Sequence, residues 1–236
     1  MDRFLSLFSF DILYDALIVA IPALICITIH ELAHGYTAYK LGDNTAKDLG
    51  RLTFNPIKHI DIVGLAMILL VKFGWAKPVP VDMRNFKHPK SYMAITAAAG
   101  PLSNLILAVI VMFIFFLFTP YSSLTQFYVH YAYGDPSIIS LIIFSMVRLN
   151  VMLAIFNLLP IPPLDGSKVL FSLFPENLYT KLMRYERFGM ILILLLVFSG
   201  RIIGFDIFDI IVWKPAMTVL SGIADFAQNV IGVFGG

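Results

Sequence analysis

Cysteine, charge and polar surface are all scarce in this sequence. Of its 236 residues only 14% are charged, whereas 59% are hydrophobic, and the mean hydropathy is +0.85. The single cysteine, Cys26, has no second cysteine to pair with, which excludes a disulfide framework and a cysteine-based zinc cluster. Any metal must therefore be bound by His, Asp or Glu. A soluble domain needs more polar surface than this, so the composition predicts a membrane protein.

Blocks of basic residues are missing as well. The net charge of +2 is small and dispersed, and no basic run alternates with aromatic residues, which excludes nucleic acid as a partner and leaves the lipid bilayer. The run from Ile12 to Ile29 lacks the basic start and the small-residue cleavage site of a signal peptide, so we expect it to be retained. The length suits one membrane-embedded domain, residues 1–236, without an appended soluble domain such as a PDZ or CBS module.

Long apolar runs dominate what is present. A helix needs about 20 apolar residues to cross the hydrocarbon core, because that core is about 30 Å thick. The runs that meet this test are Ile12–Leu41, Tyr92–Phe118, Ser137–Leu159, the shorter Phe188–Ile203 and a weaker Phe208–Phe234 that spans the membrane or lies at its surface. The sequence predicts an all-α membrane protein, a polytopic bundle of roughly four to six transmembrane segments, with a core over about residues 12–170 and C-terminal helices over about 186–236.

The segment between the first two predicted helices has a different character. Its apolar run Ile60–Phe73 is too short to span the bilayer, which favours a re-entrant or interfacial element. Gly50–Phe54 and Pro78–Asp82 alternate and are rich in turn formers, so we expect short strands there.

Charge placement predicts the orientation. Lys and Arg accumulate between the first two helices, whereas residues 119–136 contain none. Because cytoplasmic loops are enriched in Lys and Arg, the N-terminus is expected outside and the segment between the first two helices in the cytoplasm. A short multi-pass chain of this kind suits a prokaryotic plasma membrane.

One motif in the first helix is typical of metal-dependent hydrolysis. His30, Glu31 and His34 form His-Glu-x-x-His, and residues four apart on a helix share a face, so both imidazoles can reach one zinc ion. Glu31 can accept a proton from the attacking water and pass it to the leaving amine. The alternative is a chance match on a solvated helix face, but ionisable residues within an apolar helix are costly unless they bind something. The motif therefore predicts an active site near the cytoplasmic face.

A third protein ligand is expected, since catalytic zinc binds three side chains and keeps one position open. Asp165 is the best candidate, because the third helix breaks at proline just before it, at the same level as the histidines. The alternative is an exposed turn aspartate in an Asp-Gly pair.

Three motifs occur together and in order. His30 to His34, Gly100 to Asn104 and Asn157 to Gly166 resemble the motifs of the site-2 protease family of intramembrane zinc metalloproteases, peptidase family M50. The resemblance covers about residues 20 to 170. It implies His30, His34 and Asp165 as ligands of one zinc ion, Glu31 as catalytic base and Asn157 as a polar group near the scissile peptide. An amide there could donate to a developing oxyanion, although a helix-end cap is the alternative.

Four further polar residues have less definite roles. Asn104 and Asn150 are candidates for substrate contacts. The resemblance places the Asn104 segment beside the catalytic helix, so Asn104 is expected either to steady the site or to touch substrate, with helix packing as the alternative for it and its small neighbours. His59 is a candidate for gating or transient coordination of the zinc, with a surface histidine as the alternative. Arg148, near the middle of the third helix, is expected to find an acceptor in the bundle.

The sequence thus predicts a zinc-dependent endopeptidase whose substrate is a transmembrane protein cleaved within or beside the bilayer. The alternative is a membrane protein that binds or transports metal without hydrolysis. Transport requires polar residues along a path across the bilayer, whereas the candidate ligands here lie at one depth. The sequence names neither the substrate nor the oligomeric state.

Overall fold

The computed structural model describes residues 10–64, 74–184 and 186–234. The helices in this part of the chain are α1 (Phe10–Lys40), α2 (Thr45–Asp48), α3 (Pro89–Phe118), α4 (Leu124–Tyr133), α5 (Ile138–Asn157), α6 (Asp165–Phe171), α7 (Glu176–Met183), α8 (Glu186–Val197), α9 (Ser199–Ile203) and α10 (Lys214–Phe234). Short 3-10 turns lie at Pro56–His59 and Met83–Asn85, and a π-helical turn, Asp209–Trp213, precedes α10.

Four of the described helices are long and apolar enough to cross a membrane. They are Ile18–Lys40 within α1, Pro89–Phe118, Ile138–Asn157 and Asp209–Val233. Apolar side chains point outward along them, as Ile106 and Leu117 of α3 do, which suits a surface in contact with lipid tails. The all-α membrane fold is confirmed.

The predicted helix boundaries agree with the structure to within about one turn for the first three spans. The fourth predicted span is broken, since α8 ends at Val197 and α9 starts at Ser199. The weaker fifth candidate is long enough to span, as Asp209–Val233, in spite of Lys214 and Pro215. The π-helical turn Asp209–Trp213 lies just before Pro215, and local π adjustments of this kind allow proline within a membrane helix.

The two predicted strands are wrong. Gly50 has a left-handed φ of 62° and follows α2, so its segment closes a short helix and does not extend. Pro78–Asp82 forms no strand either, because its prolines at 78 and 80 lack the N–H that a ladder needs. In the described residues the β structure is one antiparallel bridge between Ile60 and Ala76. Most of the predicted re-entrant run, residues 65–73, lies outside the described part.

Helix α4 was not anticipated from the sequence. It begins after Ser123, whose side chain accepts a hydrogen bond from the N–H of Gln126, while the Gln126 side chain reaches back to the N–H of Ser122. Phe127 on α4 packs against Phe144 of α5, with ring centroids 4.6 Å apart. These rings belong to the main apolar core, which fills the space between α3, α5 and α10.

The other half of the bundle carries the polar groups. Helix α3 packs against both α1 and α5, and the loop after α5 folds back so that α6 also contacts α3. The motif in α1, the small-residue face of α3 and the loop before α6 therefore meet in one place.

Candidate active site

The two histidines of α1 face each other inside the bundle. His30 and His34 are 7% and 8% exposed, and their Nε2 atoms are 3.0 Å apart. They lie one helical turn apart, as the i, i+4 spacing requires. Both Nε2 atoms therefore point at the same small volume.

Asp165 completes this group from the far side of the bundle. Its Oδ2 atom lies 3.2 Å from Nε2 of His30 and 3.1 Å from Nε2 of His34. The side chain is 8% exposed, so the alternative of an exposed turn aspartate does not hold. The Nζ atom of Lys168, one turn along α6, is 4.0 Å from the other carboxylate oxygen.

Glycine at position 166 brings Asp165 to the histidines. A Cβ atom there would overlap the carbonyl oxygen of Leu158 and lie 2.6 Å from that of Leu159. The backbone at the start of α6 therefore rests directly on the end of α5, an approach that only glycine permits.

Gly100 has an equivalent role on α3. A Cβ atom there would lie 2.6 Å from Cε1 of His30 and would overlap the ring of His34. The sequence indicated only close packing for this residue. The structure shows that the backbone of α3 forms the wall against which both rings rest.

Glu31 lies beside the histidine pair and lines the same cavity. Its Oε2 atom accepts a hydrogen bond of 2.7 Å from the N–H of Val79. The contact joins the candidate base to the Pro78–Asp82 segment, and no sequence pattern indicated this contact. One carboxylate oxygen is thus held by the backbone, and the other is left for further partners.

Asp43 holds the other end of this segment, a role that no sequence pattern indicated. Its fully buried carboxylate accepts hydrogen bonds from the N–H of Asp82 (2.7 Å), from the side chain of Asn85 (2.7 Å) and from Thr45. Burial by itself would raise the pKa of Asp43, but the hydrogen bonds from Thr45, Asn85 and Asp82 outweigh it and hold the pKa below its usual range. Asp43 and Glu31 together anchor the Pro78–Asp82 segment to the end of α1.

The remaining candidate residues differ in whether they line the cavity. Asn157 lines the cavity, and its amide donates one hydrogen bond to the carbonyl of Leu153, one turn earlier on α5. Asn104 and Asn150 are fully buried and do not line the cavity. His59 does not line it either, and its Nε2 atom is 2.9 Å from the carbonyl oxygen of Thr53. At 2% exposure His59 is also not the surface residue considered as its alternative.

A cavity of about 510 Å³ opens onto the three converging side chains. Its walls come from α1, α3, α5, α8, the loop before α6 and the 74–81 segment, and apolar residues such as Trp75, Phe156 and Met190 line much of it. Such a cleft accommodates a few residues of an extended peptide beside a polar centre.

Comparison with known proteins agrees with this geometry. The model of peptidase family M50 matches residues 17–200, which include every residue of the centre. The chain belongs to peptidase family M50. A curated protein from Bacillus subtilis, named "Putative zinc metalloprotease YwhC", is 42% identical to it over 200 residues, covering 83% of this chain and 85% of the relative. A protein named "Putative zinc metalloprotease Rip2" from Mycolicibacterium smegmatis is 26% identical over 198 residues, covering 80% and 70%. No solved structure gives a significant match.

The zinc implied by M50 membership fits the residues present. One ligand atom from each of His30, His34 and Asp165 lies within 4.8 Å of the others, in a buried site. Two imidazoles and one carboxylate are a common set for catalytic zinc, because they leave a fourth position open. The chain is therefore an integral membrane protein of a metalloprotease family, with three side chains that could together hold a metal ion.

Proposed function

We propose that this protein is a zinc-dependent intramembrane endopeptidase that cleaves transmembrane or juxtamembrane peptide bonds of membrane-anchored proteins. The observation that supports this best is the convergence of His30, His34 and Asp165 inside a bundle of membrane-spanning helices. All three ligands lie at one point and do not form a polar path across the bilayer, so hydrolysis is favoured over metal transport.

The chemistry divides among the residues of the cavity. When bound by His30, His34 and Asp165, zinc supplies a Lewis acid that polarises the peptide carbonyl and acidifies a water. Glu31 accepts the proton of the attacking water and delivers it to the leaving amine. Asn157 has one amide N–H bound to Leu153, and the second donates to the oxyanion that develops on the scissile carbonyl.

The substrate must reach this centre in extended form. A transmembrane helix hides its carbonyls in internal hydrogen bonds, so it has to unwind locally before its peptide bond can be attacked. The cavity beside the metal-binding side chains leaves room for a few residues of such an extended chain.

A reconstituted cleavage assay tests the proposed activity. Purified protein and a single-span reporter with glycine in its transmembrane segment are combined in liposomes, and cleavage is followed by mass spectrometry. We expect cleavage within or next to the span, loss of cleavage on zinc removal by a chelator, and recovery when zinc is restored. Zinc flux across the same liposomes without cleavage would contradict the proposal and favour a transporter.

We further propose that the centre faces the cytoplasm with the N-terminus outside. His34 is six residues from Lys40, about 9 Å along a helix, so the centre lies near the end of α1 that leads into the basic segment. Cys26, the single cysteine, is 0% exposed, so we expect it not to react with a thiol-labelling reagent.

Cysteine labelling in intact cells checks this orientation. Asp48→Cys and Thr125→Cys place one exposed thiol on each side of the bundle, and neither change removes a positive charge. A membrane-impermeant maleimide is expected to label Thr125→Cys in intact cells and Asp48→Cys only after permeabilisation. The parent chain serves as the unlabelled control, and the reverse pattern would contradict the proposed orientation.

A further inference from the structure

The deeply buried amides of Asn104 and Asn150 form a chain of hydrogen bonds that ends at the zinc site. Oδ1 of Asn104 lies 2.6 Å from Nδ1 of His30. This is the ring nitrogen that does not face His34 and Asp165. Nδ2 of Asn104 is 2.7 Å from Oδ1 of Asn150. Both side chains are 0% exposed, so no water competes for these contacts.

Backbone carbonyls set the direction of every bond in this chain. Nδ2 of Asn150 donates to the carbonyl of Met146 at 2.8 Å, and Nδ2 of Asn104 donates to the carbonyl of Cys26 at 3.3 Å. A backbone carbonyl can only accept, so both amide NH₂ groups must face the carbonyls and both amide oxygens must face the other way. Oδ1 of Asn104 is thereby presented to His30 as an acceptor.

The tautomer of His30 follows from this arrangement. An acceptor at Nδ1 requires a proton on Nδ1, which leaves the lone pair of Nε2 directed at His34 and Asp165. His34 is fixed in the same way by a different acceptor, the carbonyl of Thr96, 2.7 Å from its Nδ1. Each ligand histidine thus has its own partner, a side chain for His30 and a backbone carbonyl for His34.

We propose that Asn104, held in orientation by Asn150, is a positioning residue that fixes the tautomer and ring orientation of His30 for zinc binding. The inference rests on the proposed function, because it assigns His30 as a zinc ligand. It differs from the substrate contact predicted for these two residues, since neither side chain reaches the cavity. Partners of this kind influence metal affinity by roughly 10–100-fold when they are removed.

Three variants test the role. Asn104→Leu removes the acceptor, whereas Asn104→Asp keeps the acceptor oxygen for His30 but loses the N–H that Asn104 donates to Asn150. Ser103→Ala is the matched control from the same motif, since the Ser103 hydroxyl bonds the Gly100 carbonyl of its own helix. We expect zinc affinity, measured by chelator competition, to fall about 10–100-fold in Asn104→Leu and by a smaller factor in Asn104→Asp. Ser103→Ala should match the parent.

NMR shifts of the two histidine rings distinguish a specific effect on His30 from a general loss of structure around the site. In zinc-saturated protein with ¹⁵N-labelled histidine, the Nδ1–H proton of His30 should lose its downfield, hydrogen-bonded shift in Asn104→Leu and keep it in Asn104→Asp. The Nδ1–H proton of His34, bonded to Thr96, is the internal reference and should not move.

The outcomes are distinguishable. An unmoved His30 signal with parental zinc affinity in Asn104→Leu would overturn the inference, and so would equal shifts of both histidine signals or an Asn104→Asp affinity as low as that of Asn104→Leu. Failure of the parent protein to bind zinc would instead contradict the proposed function itself.

Discussion

Replacing Glu31 with glutamine is expected to abolish peptide cleavage while the bound zinc is retained. Glutamine has nearly the same shape, and its carbonyl oxygen can still accept the hydrogen bond from the N–H of Val79. It cannot take a proton from water, however, and general bases of this kind contribute about 10²–10⁴-fold to the rate. The reconstituted assay and metal analysis of the same sample measure both quantities.

Glu176→Gln provides the control for this substitution. Glu176 begins α7 and does not line the cavity, so the same chemical change there should leave the rate close to that of the parent. Cleavage by Glu31→Gln within a few-fold of the parent would eliminate Glu31 as the base.

Gly100→Ala is expected to destroy the metal site with a single methyl group. The new Cβ would lie 2.6 Å from Cε1 of His30 and overlap the ring of His34, so both rings must move or α3 must retreat. Retreat is opposed because α3 also packs against α5. A misplacement of about 1 Å in an active site costs on the order of 10²-fold in rate, so we expect at least that loss of cleavage, together with a lower zinc affinity.

Gly222→Ala is the matched control on α10. A Cβ atom there would meet nothing within 4 Å, and alanine is the better helix former by roughly 0.5–1 kcal/mol. Its zinc content and cleavage should equal those of the parent, with unchanged or raised resistance to thermal unfolding. Parental zinc affinity in Gly100→Ala would show that the rings do not rest against α3 as described.

The parts of the structure that follow local rules could be predicted from the sequence. The spanning helices follow from runs of apolar residues, and the shared face of His30 and His34 follows from the helical repeat. Asp165 was a candidate because a proline break placed it at the right depth, and the motif resemblance implied its role as a ligand; it does lie beside the histidines.

What the sequence could not supply depends on contacts between distant segments. The bond from Val79 to Glu31 and the anchoring of residues 82 and 85 by Asp43 join residues about 40 positions apart, and no spacing rule encodes them. The strand prediction at Pro78–Asp82 failed for the same reason, because the N–H groups of Val79 and Asp82 donate to the carboxylates of Glu31 and Asp43. Helix α4 is different, since Ser123 and Gln126 form a capping pattern that can be recognised in the sequence. At 10 residues the helix is too short to stand out as a membrane-spanning apolar run.

Zinc content per chain, with and without the carboxylate of Asp165, tests the central claim most directly. If His30, His34 and Asp165 share one ion, the purified protein should contain about one zinc per chain, and Asp165→Ala should lose nearly all of it while its helical content is unchanged. Asp165→Ala protein that retains one zinc per chain would contradict the account.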